Sequence, residues 1–194
     1  EITRDSIEQA LLKVSSGDNR GKDTFWFIQE PVKFEFLLTL FVYCYYGDKF
    51  NYQPNFKCDG AGIPYSHAPG NIRDIEIYNN DLYWLIEATL IRSKNQQINS
   101  ETVNLFRHID STKGGERYLT LVAPYIHDDT KLIFNVASII TLIKNNMLSL
   151  KSDAQSTDEF VSDMKNNSYF DLVKGRTRCF VSRLTEQLNQ INSH

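Results

Sequence analysis

Apolar residues recur along the chain in two rhythms, one near 3.6 and one near 2, and these rhythms predict its elements. Ile7, Leu11, Leu12 and Val14 stand at roughly helical spacing, which predicts a short helix over 5–14. A polar, glycine-bearing loop follows over Ser15–Asp23. Pro31 suits the first turn of a helix, and Phe34, Leu37, Leu38, Phe41, Val42 and Tyr45 give that helix a wide apolar face. Gly47 stands where a C′ glycine belongs, and the width of the face predicts deep burial. Residues 48–70, with Pro54, Gly60, Gly62, Pro64, Pro69 and Gly70, read as a shaped loop with a short strand over Asn55–Cys58. A long irregular stretch inside a domain is either functional or misread, so chemistry is sought there first. Ile72–Tyr78 and Leu82–Leu90 are strand-like runs around Asn79-Asn80-Asp81, the signature of a hairpin. Ser100 can cap a helix over 101–113 that Gly114-Gly115 ends. Tyr118–Ala123 reads as a strand closed by Pro124, and Thr130–Met147 as an apolar helix. Ser156 and Glu159 form a capping box for another helix, and Tyr169–Asn192 reads as a last one, weakened at Gly175. The order predicts an α/β fold: a small central mixed sheet flanked by helices, with a helical C-terminal end.

The chain has 194 residues, which predicts one domain over 1–194 without linker or internal repeat. Apolar residues at 41% and charged residues at 23% exclude a disordered or collagen-like chain. Cys44, Cys58 and Cys179 are odd in number and form no CxxC pair, so neither a disulfide scaffold nor a zinc ribbon is expected. A reducing cytoplasm is the natural compartment. The segment from Glu1 to Asp5 lacks a signal-peptide pattern, and the apolar block Phe34–Tyr46, carrying Glu35 and Thr39, is too short to span a membrane. Net charge changes the picture more. At −3 the chain should not grip nucleic acid strongly by itself, although contact lent by a partner stays open.

The informative stretch runs from Pro54 to Leu90. Asp74 and Glu76 are two apart on one predicted strand and so share a face. Glu87 interrupts Trp84-Leu85-Ile86-Glu87-Ala88-Thr89-Leu90, where a buried carboxylate is costly without a partner. Asp59 lies upstream in the Gly/Pro loop. Carboxylates converging from adjacent strands can be reconciled by a hard divalent cation such as Mg²⁺, the usual ion of phosphoryl chemistry. The same residues also fit the solvated face of a hairpin, and the pattern alone leaves both readings open. Asp81 reads as a turn residue.

Asp74-x12-Glu87-Ala88-Thr89 resembles the PD-(D/E)xK nuclease motif. The surrounding Asp59-Gly60-Ala61-Gly62-Ile63-Pro64, Ala68-Pro69-Gly70-Asn71, Asp74-Ile75-Glu76 and Leu85-Ile86-Glu87-Ala88-Thr89-Leu90 resemble the AlwI-like family of type IIS restriction endonucleases. The likeness covers about 25–150, leaving 151–194 as a helical extension. It implies a restriction-endonuclease-like core and a bacterial, cytoplasmic enzyme. It further implies a small cleavage subunit that cuts one strand of duplex DNA when a larger, DNA-recognising nicking subunit recruits it. Asp74 and Glu87 would then bind Mg²⁺, with the Ala88 carbonyl a further ligand and Asp59 or Glu76 completing the shell. The motif lysine is replaced by Thr89. His108, on the next predicted helix, is the first candidate to act as base in its place, with Lys94 second. Arg107, beside His108, also fits the family's nuclease domain.

Lys94, Arg107 and the basic run Lys174, Arg176, Arg178 and Arg183 are candidate DNA contacts, and the run also fits a solvated helix face. His127-Asp128-Asp129 resembles a metal set but is explained by capping a helix N-terminus. Two other function classes compete. One is a non-catalytic interaction subunit with a degenerate nuclease fold, marked by Thr89. The other is a Mg²⁺ phosphatase, disfavoured by the lack of a Gly-rich phosphate loop or an Asp-x-Asp motif.

Overall fold

Helix α1 (Arg4–Ser16) starts from a capping box in which Thr3 and Ser6 satisfy each other's backbone N–H groups. Helix α2 (Glu30–Tyr46) has Pro31 in its first turn and stops at Gly47, whose φ of 51° suits glycine. Strands β1 (Asn51–Pro54), β2 (Lys57–Cys58), β3 (Pro64–Ser66), β4 (Ile75–Tyr78) and β5 (Leu82–Ala88) follow. A helical segment α3 (Lys94–Gln96) runs on as π-helix over Gln97–Glu101. Then come β6 (Glu116–Ala123), α4 (Asp128–Asn145), β7 (Leu150–Ser156), α5 (Thr157–Lys165) and α6 (Tyr169–Asn192). The computed structural model describes residues 2–18, 23–69, 72–101, 115–145, 150–166 and 168–192.

The main sheet has the order β1-β4-β5-β6-β7. β1, β4 and β5 are antiparallel, while β5, β6 and β7 are parallel, so the sheet is mixed as expected. β2 and β3 pair separately. The alternation of side chains splits the core between the two faces. Ile75, Ile77, Trp84 and Ile86 pack with Leu11, Phe34, Leu38, Phe41, Phe160 and Tyr169 of α1, α2, α5 and α6. Leu85, Leu119 and Leu121 pack on the other face against Phe134 and Ala137 of α4. Trp84 ties the first core together. It stacks on Tyr169 with ring centroids 4.8 Å apart, and its indole N–H donates to Thr120 Oγ1 at 2.9 Å.

Two expectations change. The stretch 48–70 is not one loop with one strand, because β1 extends the main sheet and β2–β3 form a small hairpin. Strand β7 was not expected at all; its sequence, Leu-Lys-Ser-Asp-Ala-Gln-Ser, has no strand rhythm, yet Ser152, Asp153 and Gln155 are buried in it. The helix expected over 101–113 lies, after Glu101, outside the described residues.

The turn into β6 depends on Gly115. Its φ is +66°, and an added Cβ would stand 2.5 Å from the Asp81 carbonyl oxygen. That carbonyl also accepts the Glu116 N–H at 2.8 Å. Gly115→Ala is expected to cost about 1–3 kcal/mol of stability. A urea unfolding midpoint equal to wild type would contradict this.

Asp153 on β7 gives a pH prediction. Burial pushes its carboxyl up to about 6, although the Arg176 guanidinium, with Nε 2.8 Å from Oδ2, pulls it down. The unfolded chain therefore releases this proton near the ordinary 3.8 and the folded chain near 6. The native state binds more protons in that window, so stability falls as pH rises through it and is level above. Asp153→Asn is expected to flatten this fall, an effect on the order of 2 kcal/mol between pH 4 and 7. Identical stability–pH slopes for variant and wild type would refute the assignment.

Candidate active site

The hairpin register builds the site. Ile75 opposes Ile86, so the next pair outward is Asp74 and Glu87. Cross-strand neighbours have Cβ atoms about 5 Å apart, which brings the two carboxylates to one place. Asp74 is held there by the Ala88 N–H, which donates to its Oδ2 at 2.8 Å. Glu87 is only 7% exposed. Both residues line a cavity of about 360 Å³ together with Ala88, Thr89, Glu35, His67, Ala68 and Pro69, among others.

Glu35 was not foreseen. It lies in the apolar middle of α2 and is buried. The Ala68 N–H donates to its carboxylate, but Oε2 has no hydrogen-bond partner among the described residues. Burial, with the Glu87 charge nearby, pushes the Glu35 carboxyl up to about 7 against the lowering effect of the Ala68 hydrogen bond. His67, exposed at the cavity mouth, was also missed. A signal for Glu35 existed, since it interrupts an apolar helix much as Glu87 interrupts an apolar strand. For His67 there was none beyond its place in the loop.

Other expected site residues do not join this cavity. Asp59 accepts the N–H groups of Ala61 and Ile63 through Oδ1, both at 2.9 Å, and so shapes the exposed β2–β3 turn. Glu76 shares the alternation of Asp74, but its carboxylate is held by Arg73 at 3.1 Å, Asn55 at 3.4 Å and the Tyr83 hydroxyl. Those bonds make it a brace of the hairpin rather than a ligand facing Glu87. Lys94 pairs with Asp129 at the surface. Thr89, at the motif-lysine position, accepts the Ile91 N–H with its hydroxyl at 3.2 Å. Arg107 and His108 lie outside the described residues.

The basic run is elsewhere. β5 and β6 are parallel, with Glu116 opposite Leu82, so Glu116 marks the sheet end away from Glu87. Lys174 pairs with Glu116 at 3.0 Å, and Arg176 pairs with Asp153 and Asp163. Arg178 lines a second cavity there with Lys151 and Lys174. Asp128 and Asp129 occupy the first turn of α4, where the helix dipole favours acidic residues, and the His127 ring meets the Arg92 carbonyl at 3.0 Å.

The residues fit a hard cation. The acidic side chains of this cavity, Asp74, Glu87 and Glu35, offer oxygen donors, with the His67 imidazole at its mouth, and the buried Glu35 Oε2 has no partner among the described residues that answers it. Among the described residues no cluster of three or more His, Cys, Asp and Glu side chains forms a ready-made metal cage. Mg²⁺ does not need one, since it is commonly held by one or two carboxylates while waters and a substrate phosphate complete the shell.

Comparison with known proteins identifies the fold and the family. The structure is similar to the crystal structure of the small subunit of the heterodimeric restriction endonuclease R.BspD6I, with a TM-score of 0.64 over 94% of this chain and 98% of that one. Identity is 19%, so the likeness is one of fold. No curated protein sequence matches the chain. The family model of the AlwI restriction endonuclease matches residues 13–151, a span that holds Glu35, Asp74, Glu87 and Ala88, and the chain belongs to that family.

Proposed function

We propose that the chain is the Mg²⁺-dependent cleavage subunit of a heterodimeric type IIS restriction enzyme. It cuts one strand of duplex DNA when a larger, site-reading subunit brings it to the scissile phosphate. The observation that carries this reading is that Asp74 and Glu87, one position beyond the Ile75–Ile86 pair of the hairpin, line one cavity. The fold shared with the small subunit of a heterodimeric enzyme supports the division of labour. So does the net charge of −3, which disfavours independent DNA binding.

Asp74 and Glu87 would hold the ion, with the Ala88 carbonyl beside them. When bound, Mg²⁺ makes a water nucleophilic near neutral pH and neutralises charge developing on the phosphate. The Ala88 N–H fixes the Asp74 carboxylate in the orientation that faces Glu87. Glu35 adds an anionic oxygen that a cation answers. Thr89 has no basic group, so accepting the water's proton falls to a histidine: His67 at the cavity mouth or His108.

The test is cleavage of a plasmid carrying the recognition site, in Mg²⁺ or in EDTA, with and without the larger subunit. The second strand should be cut only when chain, larger subunit and Mg²⁺ are all present. Specific cleavage by the chain alone would refute recruitment. Thr89 favours a second reading, a non-catalytic subunit with a degenerate site. That reading predicts that complex formation leaves the second strand intact in Mg²⁺.

A further inference from the structure

Helix α6 is 24 residues long. At 1.5 Å per residue that is about 36 Å. Its first part is anchored in the core: Tyr169 and Val173 are buried there, and Arg176 bridges Asp153 and Asp163. From Ser182 to Ile191 every described side chain is exposed except the half-buried Leu184, and Ile191 reaches 70%. The sequence nevertheless keeps a strict rhythm there. Thr177, Val181, Leu184, Leu188 and Ile191 step by four, three, four and three. A helix that faces only water needs no such line, whereas alternating steps of three and four are the seam by which one helix packs along another.

The seam begins in a cavity. Thr177, Val181 and Ser182 line a space of about 610 Å³ with Lys151, Lys174, Arg178 and Glu116. Three cations there face one carboxylate, which Lys174 and Lys151 already share at 3.0 and 3.6 Å. The mouth of the seam is therefore positive. It also stands at the sheet end away from Asp74 and Glu87, so a duplex seated at that site is not directed to it. An apolar line answers a protein surface and not a phosphate backbone. A second copy is a poor match. In a parallel pair the cations would meet their own kind; in an antiparallel pair the three would face a distal half whose one carboxylate, Glu186, is offset by Arg183.

We propose that the α6 seam from Val181 to Ile191, with the cationic mouth at Lys151, Lys174 and Arg178, docks an amphipathic helix of the larger subunit. That helix presents apolar residues at the same spacing and acidic residues beside them. The inference rests on the recruitment reading above and names the surface that performs it.

The test is binding of the larger subunit by sedimentation velocity, without Mg²⁺ or DNA. Leu184→Glu/Ile191→Glu should weaken the complex at least about 100-fold, and Arg178→Glu about 10-fold. Both variants change exposed or half-buried positions, so their melting temperatures should match wild type. Binding by the double variant equal to wild type would overturn the proposal. So would a homodimer of the isolated chain that the double variant breaks. If the double variant loses binding but the wild-type complex cuts no DNA in Mg²⁺, docking stands and the nuclease reading fails.

Discussion

Replacing Glu87 with alanine is expected to reduce Mg²⁺-dependent second-strand cleavage at least about 1,000-fold, or roughly 4 kcal/mol of transition-state stabilisation. Glu87 is 7% exposed and shares the cavity with Asp74, so on the proposed reading its loss removes one of the two carboxylates that would hold the ion. Asp74→Asn should cost a similar factor. Its amide can still accept the Ala88 N–H but no longer carries the charge. If the two carboxylates act on one ion, as proposed, the double variant should lose little beyond either single change. Additive losses, about a million-fold for the pair, would show that the residues work separately.

The second large effect concerns Glu35, where stability and activity should move in opposite directions. Its carboxyl is buried, has one oxygen without a partner among the described residues, and is pushed up to about 7 by burial and by Glu87. Glu35→Gln removes a charge that the metal-free fold pays to hold. It should raise stability at pH 8 by on the order of 3 kcal/mol. For a chain of this size that is about 5–10 °C in melting temperature. The same change should shrink the thermal shift given by Mg²⁺ or Ca²⁺, since ligand binding stabilises only in proportion to affinity. Cleavage should fall about 10- to 1,000-fold, as expected when one anionic contact to a cation is lost. A Glu35→Gln protein less stable than wild type at pH 8, with an undiminished metal shift, would remove Glu35 from the site.

How much of this was legible in the sequence follows from where rhythm existed. Helix α2 announced itself through Pro31, its apolar face and Gly47, and α6 was read at its observed bounds. The β4–β5 hairpin was visible because Asn79 sits in the turn; its side chain accepts the N–H groups of Asp81 and Leu82, both at 2.9 Å. Strand β7 was not visible. Several of its polar residues meet partners distant in the chain or on the following helix, which no local rhythm shows. Ser138 Oγ accepts the Ser152 N–H at 2.8 Å, and Gln155 meets Asp163 at 2.5 Å. β1 was hidden because a four-residue edge strand ending in Pro54 looks like loop.

The site was half legible for the same kind of reason. Asp74 and Glu87 belong to a local hairpin whose register sets them one position beyond the Ile75–Ile86 pair. Glu35 comes from another helix, 39 positions before Asp74, and only the packed fold brings it to them. Asp59 and Glu76 carried the right chemistry, but turn N–H groups and Arg73 use it locally. Lys174 and Arg176 are likewise engaged in ion pairs at the far end of the sheet or along β7.

The most direct measurement is second-strand cleavage of a site-bearing plasmid in Mg²⁺ with saturating larger subunit, comparing wild type with Glu87→Ala. A linear product is expected with wild type and a product that stops at the nicked circle with the variant. A linear product formed equally fast by Glu87→Ala would contradict the assignment of the active site to the Asp74–Glu87 pair.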